Sequence, residues 1–243
     1  MTKKKVIESL NPLFLNGIAH RGLHNDKYTE NGLKAFKNAI DHNVAFEFDL
    51  HLTKDNELVI CHDENLARTT GKEGIIEDLT LKEIKENYRL HDGGKIPTFD
   101  EILDLNNEKV PMVIELKVFR KNYKPLAKRF LEYLPRFKDK RNIMFISFDP
   151  RSLWPLKKTK YIRSLLVAKS DDYTYPFRHT VESVDLEDVL YKENRVKRYA
   201  KNHFMNVWTI ETEEQLDKVL PYADTVTFQY LDQDLVKSKL NKK

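Results

Sequence analysis

Eight short β-type runs alternate with segments of helical periodicity along the chain, and no break in composition interrupts them. The runs are Gly17–His20, Ala45–Leu52, Met112–Val118, Asn142–Ser147, Tyr161–Val167, Ser183–Asp185, Met205–Ile210 and Thr225–Gln229. Between them the spacing predicts helices over Asn31–Asp41, Thr98–Leu105, Pro125–Phe137, Pro150–Lys157, Leu186–Ala200 and Glu213–Leu220. Thr98 with Glu101, and Thr212 with Gln215, have the spacing of capping boxes. Pro125 and Pro150 suit first-turn positions, where a missing N–H costs nothing. Eight strand–helix units in 243 residues fit one parallel (β/α)₈ barrel spanning 1–243. A doubly wound sheet loses ground because neither G-x-G-x-x-G nor G-x-x-x-x-G-K-[ST] follows any strand.

One stretch breaks the rhythm. After the second strand, the turn cluster Thr53-Lys54-Asp55-Asn56 leads into a further β-type run, Glu57–Cys61, so a hairpin is expected with Asp55-Asn56 at its tip. A long connection from Leu66 to Pro97 follows, with a short helix Leu81–Asn87 capped by Thr80 and Glu83. Residues 53–97 are thus read as a small insertion, and a connection this long in a compact domain is usually functional.

Composition removes several classes. Lys plus Arg number 42 against 38 Asp plus Glu, a net charge of +4 that demands no nucleic acid. Part of the excess sits in Lys3-Lys4-Lys5 and Lys242-Lys243, read as solvated tails. The single cysteine, Cys61, excludes an intrachain disulfide and a cysteine-cluster zinc site. Val6–Leu15 is interrupted by Glu8, Asn11 and Pro12, with no small-residue cleavage site after it, and no apolar run approaches ~18 residues. The expectation is a cytoplasmic protein with no signal peptide and no integral membrane segment.

The chemistry concentrates on the inner faces of the early strands. Alternation puts Phe46, Phe48 and Leu50 on one face of the second strand and Glu47 and Asp49 on the other, about 7 Å apart. In the third strand Glu115 and Lys117 share a face. Both faces of a barrel strand are buried, and burying ionised carboxylates without partners costs several kcal/mol or forces protonation. Two resolutions exist: a hard divalent cation in an all-oxygen site (Mg²⁺, Ca²⁺ or Mn²⁺ rather than zinc), or a buried ion-pair cluster with Lys117 and Arg21. His20-Arg21-Gly22 ends the first strand, where barrel active sites are built, and Cys61-His62-Asp63 delivers a second histidine from the hairpin. Two imidazoles, Arg21, Lys117 and a hard metal suit phosphoryl chemistry: the cations neutralise charge and the imidazoles move protons.

The ordered motifs His20-Arg21-Gly22, Glu30-Asn31, Glu47-Phe48-Asp49, Leu52-Thr53-Lys54-Asp55, His62-Asp63-Glu64-Asn65-Leu66, Arg68-Thr69-Thr70-Gly71, Ile96-Pro97-Thr98-Phe99-Asp100-Glu101 and Ile114-Glu115-Leu116-Lys117 resemble the glycerophosphodiester phosphodiesterase family. They span about a hundred residues; beyond them the likeness thins to Ser147-Phe148-Asp149 and Val207-Trp208-Thr209. The resemblance implies a TIM barrel with a small insertion, one divalent metal on Glu47, Asp49 and Glu115, acid–base histidines at His20 and His62, and Arg21 and Lys117 at the phosphate. Glu30 would support the site from its rim. The implied reaction is hydrolysis of a glycerophosphodiester to glycerol 3-phosphate and an alcohol, possible through a cyclic phosphate. The chain departs from the family in having Thr29 where a proline precedes Glu-Asn. Its last strand, Asp224–Gln229, also lacks the Gly-rich run ending in Thr-Asp-x-Pro.

Blander and rival readings stand beside these. Trp208 is either core or an aromatic wall for the substrate's alcohol, His51 continues the Glu47/Asp49 phase toward a substrate channel, and Cys61 is a small buried apolar residue. Tyr173, Tyr175 and Phe177 form a lid, a headgroup wall or plain packing. A phospholipase D-like lyase on lysolipids or sphingolipids, ending at a cyclic phosphate, is the first rival. A non-catalytic barrel binding a phosphate ligand is the second. Headgroup preference and oligomeric state are not legible.

Overall fold

The structure is a computed structural model whose described residues are 1–170 and 172–242, the side chains of 172 and 173 excepted. The described residues form nine strands: β1 (Ile18–Ala19), β2 (Ala45–Leu52), β3 (Leu58–Ile60), β4 (Met112–Leu116), β5 (Ile143–Ser147), β6 (Ile162–Val167), β7 (Ser183–Glu187), β8 (Met205–Ile210) and β9 (Thr225–Phe228). All except β3 pair in parallel, in the order β1-β9-β8-β7-β6-β5-β4-β2, and β1 pairs with β2 to close an eight-stranded barrel. Closure at the divergent end is in register, Ile18 facing Thr227 and Ala19 facing Phe228. β3 adds antiparallel to the upper end of β2, with Leu50 opposite Ile60 and Leu52 opposite Leu58.

Alternation decides the layers. Phe46, Phe48, Leu50, Ile114 and Phe145 point outward and pack beneath helices through Phe36, Phe99 and Phe130. Ala45, Val113, Met144 and Ile162 point inward. The floor of the barrel is closed by Val6, Leu10 and Phe14 from a helix Lys3–Glu8 and a 3₁₀ turn Pro12–Asn16. Lys3-Lys4-Lys5 is therefore no tail: it opens that helix, with Lys4 and Lys5 exposed to solvent as expected and Lys3 paired with Asp224 at 3.0 Å. Lys243 lies outside the described residues.

Helices follow where caps were legible and differ where they were not. Thr98 and Thr212 close reciprocal capping boxes on Phe99–Asn106 and Glu213–Val219. Three expected helices are shorter than their periodicity suggested. Pro125–Phe137 becomes Tyr123–Leu131 plus a 3₁₀ turn Leu134–Arg136, and Pro150–Lys157 becomes Pro150–Leu153 plus Trp154–Lys158. Leu186–Ala200 splits into the end of β7, a 3₁₀ turn Asp188–Lys192 and a helix Asn194–Ala200. Prolines at 135 and 155 explain the first two, since each removes a donor that a continuing helix would need.

Residues 53–97 carry a small core of their own, Val59, Cys61, Leu66, Ile76, Ile84, Tyr88, Leu90 and Ile96. That core anchors the loop bearing His62 above the open end of β2.

Candidate active site

The polypeptide turns sharply at the end of β1. Arg21 adopts φ +53° and Gly22 φ +80°. A left-handed arginine costs on the order of 1–3 kcal/mol unless its surroundings hold it. Here its N–H donates to the Glu47 carboxylate (3.0 Å) and its carbonyl accepts from the Asn31 N–H (2.9 Å). Gly22 must be glycine, because a Cβ there would lie 3.0 Å from Ala35 and Phe36 as well as on a left-handed backbone. The turn delivers the Arg21 guanidinium to Glu30 (Nη1 to Oε1, 2.8 Å) and toward Asp49 (Nε to Oδ2, 3.5 Å).

Glu47 and Asp49 point into the barrel from β2, and the parallel register sets Asp49 beside Glu115 of β4. All three are buried, and one oxygen from each lies within 4.8 Å of the others. Lys117 sits among them, 3.0 Å from Glu115 and 3.4 Å from Asp49, and Asn31 donates to Asp49 at 2.8 Å. Burial opposes ionisation of Asp49, yet Lys117, His62, Arg21 and the Asn31 bond hold it well below the usual carboxylate range. Glu47 goes the other way: burial, then repulsion from Asp49 and Glu115, push it well above that range. Burial pushes Glu115 up to about 7 against the pull of Lys117. Burial would lower Lys117, but Glu115 and Asp49 hold it above its ordinary value.

This distribution separates the two resolutions left open by the sequence. Lys117 and Arg21 satisfy Asp49 and part of Glu115, but Glu47 has no ion pair among the described residues. An ion-pair cluster alone therefore leaves one carboxylate short of positive charge. An all-oxygen trio that resists full ionisation in the absence of a further cation is chemically fit for a hard divalent ion.

The histidines come from two neighbouring parts of the barrel, His20 from the end of β1 and His62 from the loop after β3, which pairs with β2. His20 follows β1 and its Nδ1 lies 2.7 Å from Gln229 Oε1; burial and then Arg21 push it down to about 3. His62 is half-buried, with Nδ1 2.6 Å from Asp63 Oδ1, and burial lowers it while Asp49 and Asp63 pull it back. Asp63 and Glu30 are bridged by Arg68, through Nε to Asp63 (2.6 Å) and Nη2 to Glu30 (2.8 Å). Despite its burial, Glu30 is held at about 2 by Arg68 and Arg21.

His20, Arg21, Glu47, His62, Glu115, Lys117 and Trp208 line one cavity of about 410 Å³; Asp49 does not line it but contacts Lys117 and Arg21, which do. Trp208 is half-buried, donates from Nε1 to the Asp185 carbonyl (3.0 Å) and stands edge-on to Phe148. A second cavity of about 590 Å³ shares Glu115, Lys117 and Phe148 with the first and opens between Trp154, Phe177 and Arg151. Phe177 is thus at a cavity wall, Tyr175 is buried, and the side chain of Tyr173 lies outside the described residues. His51 is buried between Glu77 (2.7 Å) and the His62 carbonyl (3.2 Å), so it braces the hairpin loop while reaching the larger cavity. Cys61 is buried and pushed up to about 11, which keeps it an unreactive thiol.

Sequence reasoning missed three contributors. Asn31 was visible as half of the Glu-Asn pair, but nothing local showed its amide reaching Asp49. Ser164, Asp185, Asn206 and Thr227 form a buried hydrogen-bonded row under the cavity, and inward alternation on β6 to β9 was the available signal. Gln229, just past β9, had no signal at all.

A barrel with acidic and cationic side chains gathered at the carboxyl ends of its first strands is an arrangement typical of barrel enzymes. A family model for the glycerophosphoryl diester phosphodiesterase family matches residues 20–228, and the chain belongs to that family. It is 34% identical over 152 residues to a glycerophosphodiester phosphodiesterase of Caldanaerobacter subterraneus, a stretch covering 58% of this chain and 61% of that one. It is 32% identical over 144 residues to one from Bacillus altitudinis, covering 56% and 58%. The matched stretch thus spans about three fifths of those curated relatives. Among solved structures, a phosphodiesterase of Oleispira antarctica in complex with the product sn-glycerol-3-phosphate aligns with TM-score 0.79 at 23% identity over 92% of this chain and 96% of that one. A Thermotoga maritima glycerophosphodiester phosphodiesterase aligns with TM-score 0.73 at 26% identity over 93% and 97%.

Proposed function

We propose that this chain hydrolyses glycerophosphodiesters to glycerol 3-phosphate and an alcohol, using one divalent cation held by Glu47, Asp49 and Glu115. The observation that carries this reading is the buried carboxylate trio, with atoms within 4.8 Å of one another, two of whose members, Glu47 and Glu115, line a cavity together with Arg21, Lys117 and two imidazoles. The product bound to the Oleispira antarctica neighbour is the phosphate ester that this reading assigns here. When bound, the cation supplies Lewis-acid neutralisation of phosphate charge.

The protein's own groups do the rest. Arg21 and Lys117 hold phosphate oxygens and the negative charge that grows on them. His20 and His62 exchange protons with the attacking and departing oxygens. Trp208 walls the small cavity, and the larger aromatic chamber beside it receives the alcohol. The lyase rival uses the same groups and stops at the cyclic phosphate, so ³¹P NMR of the products separates it from hydrolysis. A binding-only barrel is disfavoured because each of these positions carries a side chain competent for its role.

The test is turnover of a panel of glycerophosphodiesters, coupled to detection of glycerol 3-phosphate, across Mg²⁺, Ca²⁺ and Mn²⁺. Activity should vanish with EDTA and return with one of these ions. Full activity after exhaustive chelation would remove the metal from the mechanism.

Metal affinity should also depend on pH. Glu47 and Glu115 are raised, so both hold protons more tightly than free carboxylates and must release them to bind a cation. Affinity should therefore climb as pH rises toward about 7, where Glu115 ionises, and fall by up to about tenfold per unit for each protonated ligand below that. Calorimetry in buffers of different ionisation enthalpy counts the protons released. Affinity independent of pH, with no proton release, would contradict this account.

A further inference from the structure

We infer that Gln229 is a positioning residue that fixes His20 in the tautomer carrying its proton on Nδ1, leaving Nε2 as a proton acceptor for the reaction. The inference deepens the hydrolase reading above and rests on it.

The far end of the glutamine fixes how its amide is oriented. Gln229 Nε2 lies 2.5 Å from Oε1 of Glu211, an exposed carboxylate. A carboxylate at that distance accepts, so the amide's NH₂ end must face Glu211 and its carbonyl end must face inward. Donor–acceptor chemistry thus sets an amide orientation that electron count alone would not. The inward Oε1 lies 2.7 Å from His20 Nδ1 and 3.3 Å from His24 Nε2. A carbonyl oxygen has two lone pairs and no proton, so both ring nitrogens must be donors. His24 is further braced edge-on by Tyr230, with ring centroids 5.3 Å apart. No hydrogen bond among the described residues engages His20 Nε2, and His20 lines the reaction cavity.

His62 has a different partner. Its Nδ1 faces the Asp63 carboxylate, which stabilises an imidazolium more strongly than the neutral Gln229 amide does at His20. The two rings are therefore prepared for opposite tasks. The attacking oxygen passes its proton to His20 Nε2 as its electron pair forms the new P–O bond. The old P–O bond breaks with its pair on the alcohol oxygen, which takes a proton from His62. Burial and Arg21 keep His20 neutral near pH 7, the state in which a tautomer is defined.

Long-range ¹H–¹⁵N correlation spectra of the imidazoles, recorded on the metal-free protein at neutral pH, test the inference directly. Wild type should show His20 protonated at Nδ1 and bare at Nε2. Gln229→Leu keeps similar bulk but removes the acceptor, so His20 should move toward the Nε2-protonated form that a free histidine side chain prefers. Its kcat should fall on the order of 10²-fold with KM nearly unchanged. Gln229→Glu retains an acceptor and should restore the Nδ1–H signature. A wild-type His20 bare at Nδ1 would overturn the inference, as would a leucine variant whose tautomer does not move. The wild-type spectrum decides even if the variant fails to fold. If wild type hydrolyses no glycerophosphodiester, the hydrolase reading fails while the tautomer is still read independently.

Discussion

Replacing Asp49 with alanine should abolish metal-dependent stabilisation and lower turnover by on the order of 10²–10³-fold. Asp49 is the one member of the trio that the protein keeps firmly ionised, since Lys117, His62, Arg21 and Asn31 all favour its charge. On the proposed reading it is the ligand already prepared for a cation, whereas Glu47 and Glu115 ionise reluctantly. Breaking a buried charge pair from one side commonly costs ~3–5 kcal/mol. Here part of that cost is returned, because losing Asp49 also removes repulsion on Glu47 and Glu115. The variant should therefore fold, somewhat destabilised. A ligand at 100 times its Kd raises stability by about 2.7 kcal/mol, so added cation should lift the wild-type Tm by several degrees and leave Asp49→Ala unmoved. Glu115→Gln keeps the shape and loses the charge, and should show a weaker version of both effects. A variant that still gained Tm with metal and turned over normally would place the cation elsewhere.

A substrate analogue built on 1,3-propanediol should be nearly inert. The natural diester carries a hydroxyl next to the ester carbon, already held close to phosphorus, and a well-placed intramolecular nucleophile can be worth an effective molarity of ~10⁵ M or more. On the proposed cyclic route, His20 would take that hydroxyl's proton and His62 would supply the alcohol's, giving a cyclic 1,2-phosphate that water would then open. Direct attack by water needs no such hydroxyl. Steady-state turnover of the analogue at a rate close to the natural diester would reject the cyclic route and leave direct hydrolysis standing. An analogue that binds as a competitive inhibitor and turns over at least about a thousandfold more slowly would support it.

Much of this chemistry was legible because strand alternation is a local rule. The sequence Ala45-Phe46-Glu47-Phe48-Asp49-Leu50 places its carboxylates on one face whatever the rest of the chain does, and Ile114-Glu115-Leu116-Lys117 repeats the pattern. Capping boxes at Thr98 and Thr212 were equally local, and both closed as their spacing implied. Where local signals are weak, the structure departs from them. Helical periodicity runs through Pro135 and Pro155 and across the end of β7, yet three helices are shorter than that periodicity implies. The lysines at 3–5 looked like a solvated end because their charge was visible and the barrel floor was not.

Burial pattern, strand count and the residue types that face inward all follow from side-chain alternation and apolar spacing, which each segment carries alone. The charge state of those residues does not. Glu47 and Asp49 are two positions apart on one strand, yet the first is pushed toward protonation and the second held ionised, because Lys117 and Asn31 reach only the second. Likewise His20 and His62 are the same residue type: the carboxylate beside His62 is its sequence neighbour Asp63, whereas only the closing of β9 against β1 sets the Gln229 amide beside His20. Such differences depend on contacts between residues as far apart as 20 and 229, whose distance is fixed by closure of the barrel and by nothing in either neighbourhood.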